Sequence, residues 1–113
     1  MSRSAGDAAE RQALYFLQQQ GLTLLQRNYF CRHGEIDLIM QDGATLVFIE
    51  VRQRAHHQAA ANSIDEYKQQ RLQNTAAYYL AGDSNPPTCR FDALLIDKNG
   101  KIQWLQNAFD ATY

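Results

Sequence analysis

Apolar positions near the start of the chain follow the period of an α-helix. Residues 7–20 carry them three or four positions apart, at Ala9, Ala13, Phe16 and Leu17. Asp7 and Glu10 have the spacing of an N-terminal capping box, and Gly21 is a typical stop signal. The pattern therefore predicts a first helix over residues 7–20.

Three strand patterns follow, over residues 22–31, 34–41 and 45–54, of which the first is the most irregular. Asp42-Gly43 separates the last two and is a strong hairpin signal. The third strand is apolar on both faces, which is typical of a strand at the centre of a sheet.

The pattern breaks over residues 55–62, which we predict to be a mobile loop. The next four residues, 63–66, have a capping-box sequence and open a second helix over residues 64–81. Tyr67, Tyr78 and Tyr79 fall at helical spacing in this helix. We expect them to pack against the core rather than to form a platform for nucleic-acid bases.

Two more strands are predicted at residues 88–97 and 101–105, joined by a type I′ turn at Asn99-Gly100. Residues 106–113 are predicted to form a short helical turn. The order is α-β-β-β-α-β-β, and it predicts an α/β architecture with a central mixed sheet flanked by helices.

The length of 113 residues predicts one domain, residues 1–113, and is sufficient for a hydrophobic core. The net charge of -1 provides no overall basic field to attract nucleic acid. No apolar run approaches the ~20 residues that span a bilayer, and the first residues lack a signal-peptide core. We therefore expect a cytoplasmic protein without a membrane partner, in which Cys31 and Cys89 are free thiols.

Two acidic residues, Asp37 and Glu50, interrupt the second and third strand patterns. Ionised carboxylates are rarely buried without a partner, and two of them 4 Å apart repel each other by about 4 kcal/mol at an effective dielectric near 20. Pairing symmetrical about the hairpin places Asp37 opposite roughly position 48, diagonal to Glu50 and about 5–8 Å from it. Arg52 shares the face of Glu50. Mg²⁺ commonly takes one or two carboxylates, so this pair is a candidate metal site.

Three segments around these residues resemble signatures of the YraN-like family of bacterial proteins: Gly34–Ile39, Phe48–Arg54 and Cys89–Asp92. The resemblance extends over nearly the whole chain. That family is similar to the restriction-endonuclease-like, or PD-(D/E)xK, superfamily, which includes archaeal Holliday junction resolvases. The resemblance implies a restriction-endonuclease-like α/β fold and a metal-dependent nuclease acting on branched or structured DNA.

By position, the resemblance implies that Asp37, Glu50 and the backbone carbonyl of Val51 bind Mg²⁺ or Mn²⁺. It adds Glu10 as the helical glutamate of the motif, and Arg52 stands where the superfamily usually has lysine. Glu10, Asp37, Glu50 and Arg52 are the implied catalytic set. A guanidinium can bind phosphate bidentately but is a poor proton acceptor. The arginine therefore departs from the motif in a property that catalysis needs, because it would not readily activate water.

A basic group of side chains is expected to bind the phosphates of nucleic acid, with DNA favoured over RNA: Arg52, Arg54, Lys68 and Arg71. A symmetric nuclease that cuts two strands often uses two sites, which is compatible with a homodimer.

The arginine at position 52 and the net charge of -1 also support another hypothesis. The chain would then be a non-catalytic nucleic-acid or protein interaction module that has kept a nuclease fold.

Structural explanations remain open for several of these residues. Asp37 and Glu50 could form salt bridges with arginines, and Glu10 could serve the capping box alone. Glu35 is expected to be solvated or paired with arginine, and a structural hydrogen bond is the better explanation for Asp92. Zinc is disfavoured, because the spacing of the candidate ligands matches no standard zinc site: Cys31, His33, His56 and His57.

Overall fold

A computed structural model describes residues 3–109, with side chains from Gly6 onward. Its elements are, in chain order, α1 (Arg3–Gln19), β1 (Thr23–Cys31), β2 (Gly34–Asp42), β3 (Thr45–Gln53), α2 (His57–Asn62), α3 (Glu66–Leu80), β4 (Cys89–Ile96) and β5 (Ile102–Phe109). The α/β prediction and its element order are confirmed, with α2 as an additional short helix. The arrangement is the one expected of a restriction-endonuclease-like fold.

The five strands form one mixed sheet in the order β1-β2-β3-β4-β5. All neighbouring pairs are antiparallel except β3 and β4, which are parallel and are connected through α2 and α3. The central position predicted for β3 is confirmed. None of the helices within residues 3–109 is long and apolar enough to cross a membrane.

A hydrophobic cluster lies on each face of the sheet. Leu72 and Ala76 of α3 belong to one cluster, and Ala13 and Leu17 of α1 belong to the other. Strict alternation would place the apolar residues of β2 at positions 36, 38 and 40 in the same cluster. Instead, Ile36 packs with α3, whereas the other two pack with α1. Strand β2 therefore changes orientation around Asp37.

The β2–β3 hairpin turns one residue later than predicted. Asp42 still pairs with Thr45, so the turn consists of Gly43 and Ala44, and Gly43 takes a positive φ of 60°. Asp42 remains in the strand, where its carboxylate also forms an ion pair with Arg90 at 2.9 Å. The register shifts as a result, and continuation of the ladder places Asp37 opposite position 50 rather than position 48.

The segment predicted to be a mobile loop contains helix α2. The His56 side chain accepts a hydrogen bond from the backbone of this helix, and Ala60, within the helix, is fully buried. The capping box predicted at residues 63–66 is wrong in detail. Ser63 donates to the carbonyl of Ala60, and Asp65 is the N-cap of α3.

The ends of the chain also differ from the prediction. Helix α1 starts at Arg3, so Asp7 lies inside it and the capping box with Glu10 is wrong. Strand β5 continues through Phe109, so residues 106–109 belong to a strand with a bulge at Asn107, where φ is 53°, rather than to a helical turn; residues 110–113 lie outside the described part. In the β4–β5 turn the positive φ belongs to Gly100 and not to Asn99, which excludes type I′.

Candidate metal and phosphate site

The predicted acidic residues meet in a cavity of about 430 Å³ where β2 begins and β3 ends. Helix α1 covers one side of it and the first turn of α3 the other. The lining residues are Gly6, Ala9, Glu10, Glu35, Asp37, Glu50, Val51, Arg52, Gln53, Arg54 and Lys68. All four residues of the predicted catalytic set therefore lie around one space.

Asp37 and Glu50 are in direct contact. The last β2–β3 pair before them is Leu38 with Ile49, and beyond it the Asp37 carboxylate accepts a hydrogen bond from the Val51 N–H at 2.8 Å. Burial, the charge of Glu50 and a hydrogen bond between the two carboxyl groups raise the pKa of Asp37 well above its usual range. The Val51 hydrogen bond lowers it only in part. Without a cation, these effects favour the protonated form of Asp37.

Two basic side chains reach the same oxygen of Glu50. Arg52 Nη2 lies 2.6 Å from Glu50 Oε2, and Lys68 Nζ, from the first turn of α3, lies 3.7 Å from it. The prediction that Arg52 shares the face of Glu50 is confirmed. The Arg52 Nε is buried and has no hydrogen-bond partner in the described part of the chain. A buried donor without an acceptor destabilises the folded protein, and a phosphate oxygen bound here would be such an acceptor.

Glu10 enters the cavity from α1 and is only 6% exposed. Asn28 Nδ2 donates to Glu10 Oε1 at 2.7 Å, and Arg27 Nη2 lies 3.9 Å from the same oxygen. Asn28 has a φ of 52°, which asparagine tolerates better than most residues. Sequence reasoning missed Asn28. An asparagine inside an irregular strand pattern was the available signal.

The remaining predicted phosphate-binding residues divide into two groups. Arg54 lines the cavity, and its side chain donates to the backbone carbonyl of Gln53. Arg71 is outside the cavity; it lies near Gly34, and its guanidinium is 5.9 Å from the centre of the Tyr67 ring. The structure thus brings three of the four predicted basic residues to the acidic pair.

The donor set fits a hard divalent cation. Two carboxylates converge where burial and the charge of Glu50 oppose the ionisation of Asp37, and a cation would offset both effects. Within residues 3–109, no group of three His, Cys, Asp or Glu side chains is arranged to hold a metal. A metal here would therefore also need backbone, water or phosphate oxygens, as Mg²⁺ commonly does.

Comparison with known proteins identifies the family. The model of a family described as "Uncharacterised protein family UPF0102" matches residues 9–96. The chain belongs to the UPF0102 family. This membership confirms the YraN-like assignment made from the motifs. The part matched by the UPF0102 model includes every cavity residue except Gly6, and it ends before β5.

Relatives in the UPF0102 family match over nearly their whole length. A UPF0102 protein of Nitrosomonas eutropha is 55% identical over 111 residues, which cover 96% of each chain. The UPF0102 protein NE0719 of Nitrosomonas europaea is 54% identical over 109 residues, covering 93% of this chain and 92% of the relative. A UPF0102 protein of Psychromonas ingrahamii is 51% identical over 111 residues, covering 96% and 91%.

Proposed function

We propose that this UPF0102 protein binds nucleic acid and, with Mg²⁺ or Mn²⁺, hydrolyses phosphodiester bonds in branched or structured DNA. The observation that carries the proposal is the contact between Asp37 and Glu50 in a lined cavity, with the pKa of Asp37 raised. Carboxyl groups whose pKa is perturbed by burial and by a neighbouring charge are concentrated at functional sites.

Asp37 and Glu50 would hold the metal, together with the Val51 carbonyl that the family resemblance implies. The bound metal would polarise the phosphate and lower the pKa of a coordinated water. The Val51 N–H fixes the orientation of Asp37 by a hydrogen bond from the neighbouring strand. Glu10, oriented by Asn28, adds a third carboxylate at the cavity wall that could position the attacking water.

Lys68 compensates for the arginine in the motif. The strand position that usually carries lysine has Arg52, whose guanidinium does not readily exchange a proton. Lys68 brings an ammonium group to the same Glu50 oxygen from a different element. We assign phosphate binding to Arg52 and Arg54, and protonation of the leaving oxygen to Lys68, because an ammonium can transfer a proton.

Cleavage assays test this proposal. Purified protein is incubated with fluorescent four-way junctions, blunt duplexes, single strands and RNA in Mn²⁺, Mg²⁺ or EDTA. We expect metal-dependent cleavage of branched DNA that falls by about 100-fold or more in Glu50→Gln and in Lys68→Ala. Lys98→Ala is the matched control, because Lys98 lies in the β4–β5 turn and is not one of the residues that line the cavity. Cleavage that survives Glu50→Gln would indicate a contaminating nuclease and contradict the proposal.

The close contact between Arg52 and Glu50, at 2.6 Å, supports a second candidate function. An arginine that neutralises a metal ligand favours binding of nucleic acid without catalysis. That alternative, a non-catalytic interaction module, predicts binding of DNA that is independent of metal and no cleavage under any condition.

A homodimer also stays a prediction, and sedimentation of the protein with and without a junction would test it.

A further inference from the structure

Two of the tyrosines on α3 face solvent. Tyr67 is 71% exposed and Tyr78 is 47% exposed, so the expectation that they pack into the core is wrong for both. It is confirmed for Tyr79, whose ring contacts Tyr29 and Phe48. Tyr67 and Tyr78 are eleven residues apart, which is close to three helical turns and about 16 Å along the same side of the helix.

Each exposed ring has a cationic neighbour. The Arg71 guanidinium is 5.9 Å from the centre of the Tyr67 ring, and the Arg32 guanidinium is 5.7 Å from that of Tyr78. The His33 ring contacts Tyr78 from the side, with ring centres 5.7 Å apart. These five residues form what we call the aromatic–basic strip.

The aromatic–basic strip is continuous with the cavity. A Cβ atom on Gly34 would lie 3.3 Å from Arg71 Nη2, so Arg71 rests directly on the backbone of Gly34. The next residue, Glu35, lines the cavity. On α3, Lys68 lines the cavity and follows Tyr67. The strip therefore begins at the wall of the proposed phosphate site and leads away from it.

This combination of groups matches one class of ligand. Unpaired bases stack on exposed aromatic rings, and arginines beside the rings attract the phosphates between those bases. A blunt duplex buries the faces of its bases and offers only the phosphates. A protein partner would use the tyrosines but would not require cations beside each ring.

We propose that the aromatic–basic strip binds a single-stranded nucleic-acid arm and directs the junction between single and double strand to the cavity. This inference deepens the proposed function, on which it rests, by naming the substrate class: nucleic acid with an unpaired arm. The strip contributes binding and positioning and takes no part in the chemical step.

Fluorescence anisotropy in EDTA tests the strip separately from the metal site. The probes are a labelled single strand, a blunt duplex and the same duplex with a single-stranded overhang. We expect Tyr67→Ala with Tyr78→Ala to weaken binding to the single strand and the overhang by about 10-fold or more, with little change for the blunt duplex. Tyr67→Phe with Tyr78→Phe keeps both rings and should restore most of the binding. Tyr15→Ala is the matched control, because Tyr15 is 67% exposed on α1 and outside the strip.

A stacking readout and the salt dependence sharpen the test. 2-Aminopurine placed in the overhang should be quenched by the wild-type protein and by the double phenylalanine variant, but not by the double alanine variant. Arg32→Gln should reduce the slope of binding against salt by about one unit. Circular dichroism confirms that the variants are folded.

The outcomes separate the two proposals. Metal-dependent cleavage of DNA together with unchanged overhang binding in the double alanine variant would overturn the strip and leave the nuclease proposal standing. Absence of cleavage together with strip-dependent binding of single strands would overturn the nuclease proposal and support the strip. Wild-type protein that binds none of the probes in EDTA overturns the strip, and the cleavage assay in Mn²⁺ then decides on the nuclease alone.

Discussion

Two aspartates in the same sheet differ in how the fold compensates their charge. Asp92, in β4, is fully buried and accepts hydrogen bonds from Arg90, the Trp104 indole and the Asn107 N–H. Asp37, in β2, has one backbone donor and otherwise faces carboxylates, chiefly Glu50. The Asp92 carboxylate is satisfied by donors within the fold, whereas the basic side chains at the acidic pair, Arg52 and Lys68, contact Glu50 rather than Asp37.

Burial and nearby charges act on pKa values differently around the two aspartates. Burial alone would lower the pKa of Arg90, but hydrogen bonds and charge from Asp92 and Asp42 outweigh it and raise that pKa. Around Asp37 burial and charge act in the same direction, and the pKa of the acid is raised. The Arg90–Asp92 ion pair compensates its own charges, whereas the charge of Asp37 would be offset by a proton or a bound cation. The structural explanation by hydrogen bonding therefore holds for Asp92, and the salt bridge considered for Glu50 is present with Arg52, whereas Asp37 contacts Glu50 and the Val51 N–H.

Removing Asp92 should produce the largest loss of stability. Asp92→Ala removes the buried acceptor of two N–H donors and leaves Arg90 with Asp42, its more exposed partner, so we expect the free energy of unfolding to fall by about 3–5 kcal/mol. Urea denaturation followed by the fluorescence of Trp104, the single tryptophan, measures it. Asp42→Ala is the control: it removes the more exposed partner of the same arginine and should cost less than about 1 kcal/mol. Equal losses in both variants would contradict the distinction.

Stabilisation by metal should depend on Asp37 and not on Asp92. Mn²⁺ at a hundred times its Kd should stabilise the wild-type protein by about 2.7 kcal/mol relative to EDTA, which corresponds to a rise in Tm of about 10 °C. The double variant Asp37→Asn, Glu50→Gln should show no such rise, and Asp92→Asn should keep it. Thermal melting decides this. An unchanged shift in the double variant would place the metal elsewhere.

In EDTA, neutralising Asp37 should stabilise the protein. The pKa of Asp37 is raised in the folded state, so the unfolded chain releases its proton first as the pH rises above the ordinary value of 3.8. Wild-type stability therefore falls with increasing pH until the folded group also ionises. The advantage of Asp37→Asn should grow over that range and reach about 1 kcal/mol or more near pH 7. Urea denaturation from about pH 4 to about pH 8 measures it; a variant that is less stable throughout would refute the explanation.

The smallest effect is expected at Asp97, with the opposite sign. Hydrogen bonds from the backbone N–H groups of Lys101 and Asn99, with a further contribution from nearby positive charge, lower the pKa of Asp97. Its contribution to stability is present above pH 3.8 and is lost as the pH falls through the lowered pKa. Asp97→Asn should therefore lose a little stability at neutral pH and converge with wild type in acid, as acid denaturation would show.

Much of the fold and part of the site follow from the sequence. Periodicity located the helix–strand order, and two acidic residues in apolar strands indicated the site before any contact was known. The errors arose where local signals competed with distant partners. Asp42 suits a turn, but it pairs with Thr45 in the strand, where it also contacts Arg90, and the register is shifted by two residues. Residues 106–109 continue β5 through a bulge, where pairing with β4 and the hydrogen bond from the Asn107 N–H to Asp92 favour the strand over a helical turn.

The amino-acid sequence by itself determined the elements, their order and the chemical identity of the acidic pair, because these depend on residue type and on spacing along one segment. Only the tertiary structure decided that Asp37 directly contacts Glu50, that Lys68 reaches that pair from α3, and that Tyr67 and Tyr78 remain in solvent. Contacts of this kind join residues that are far apart in the chain. They depend on strand register and on which face of a helix is buried, and packing of the whole domain sets both.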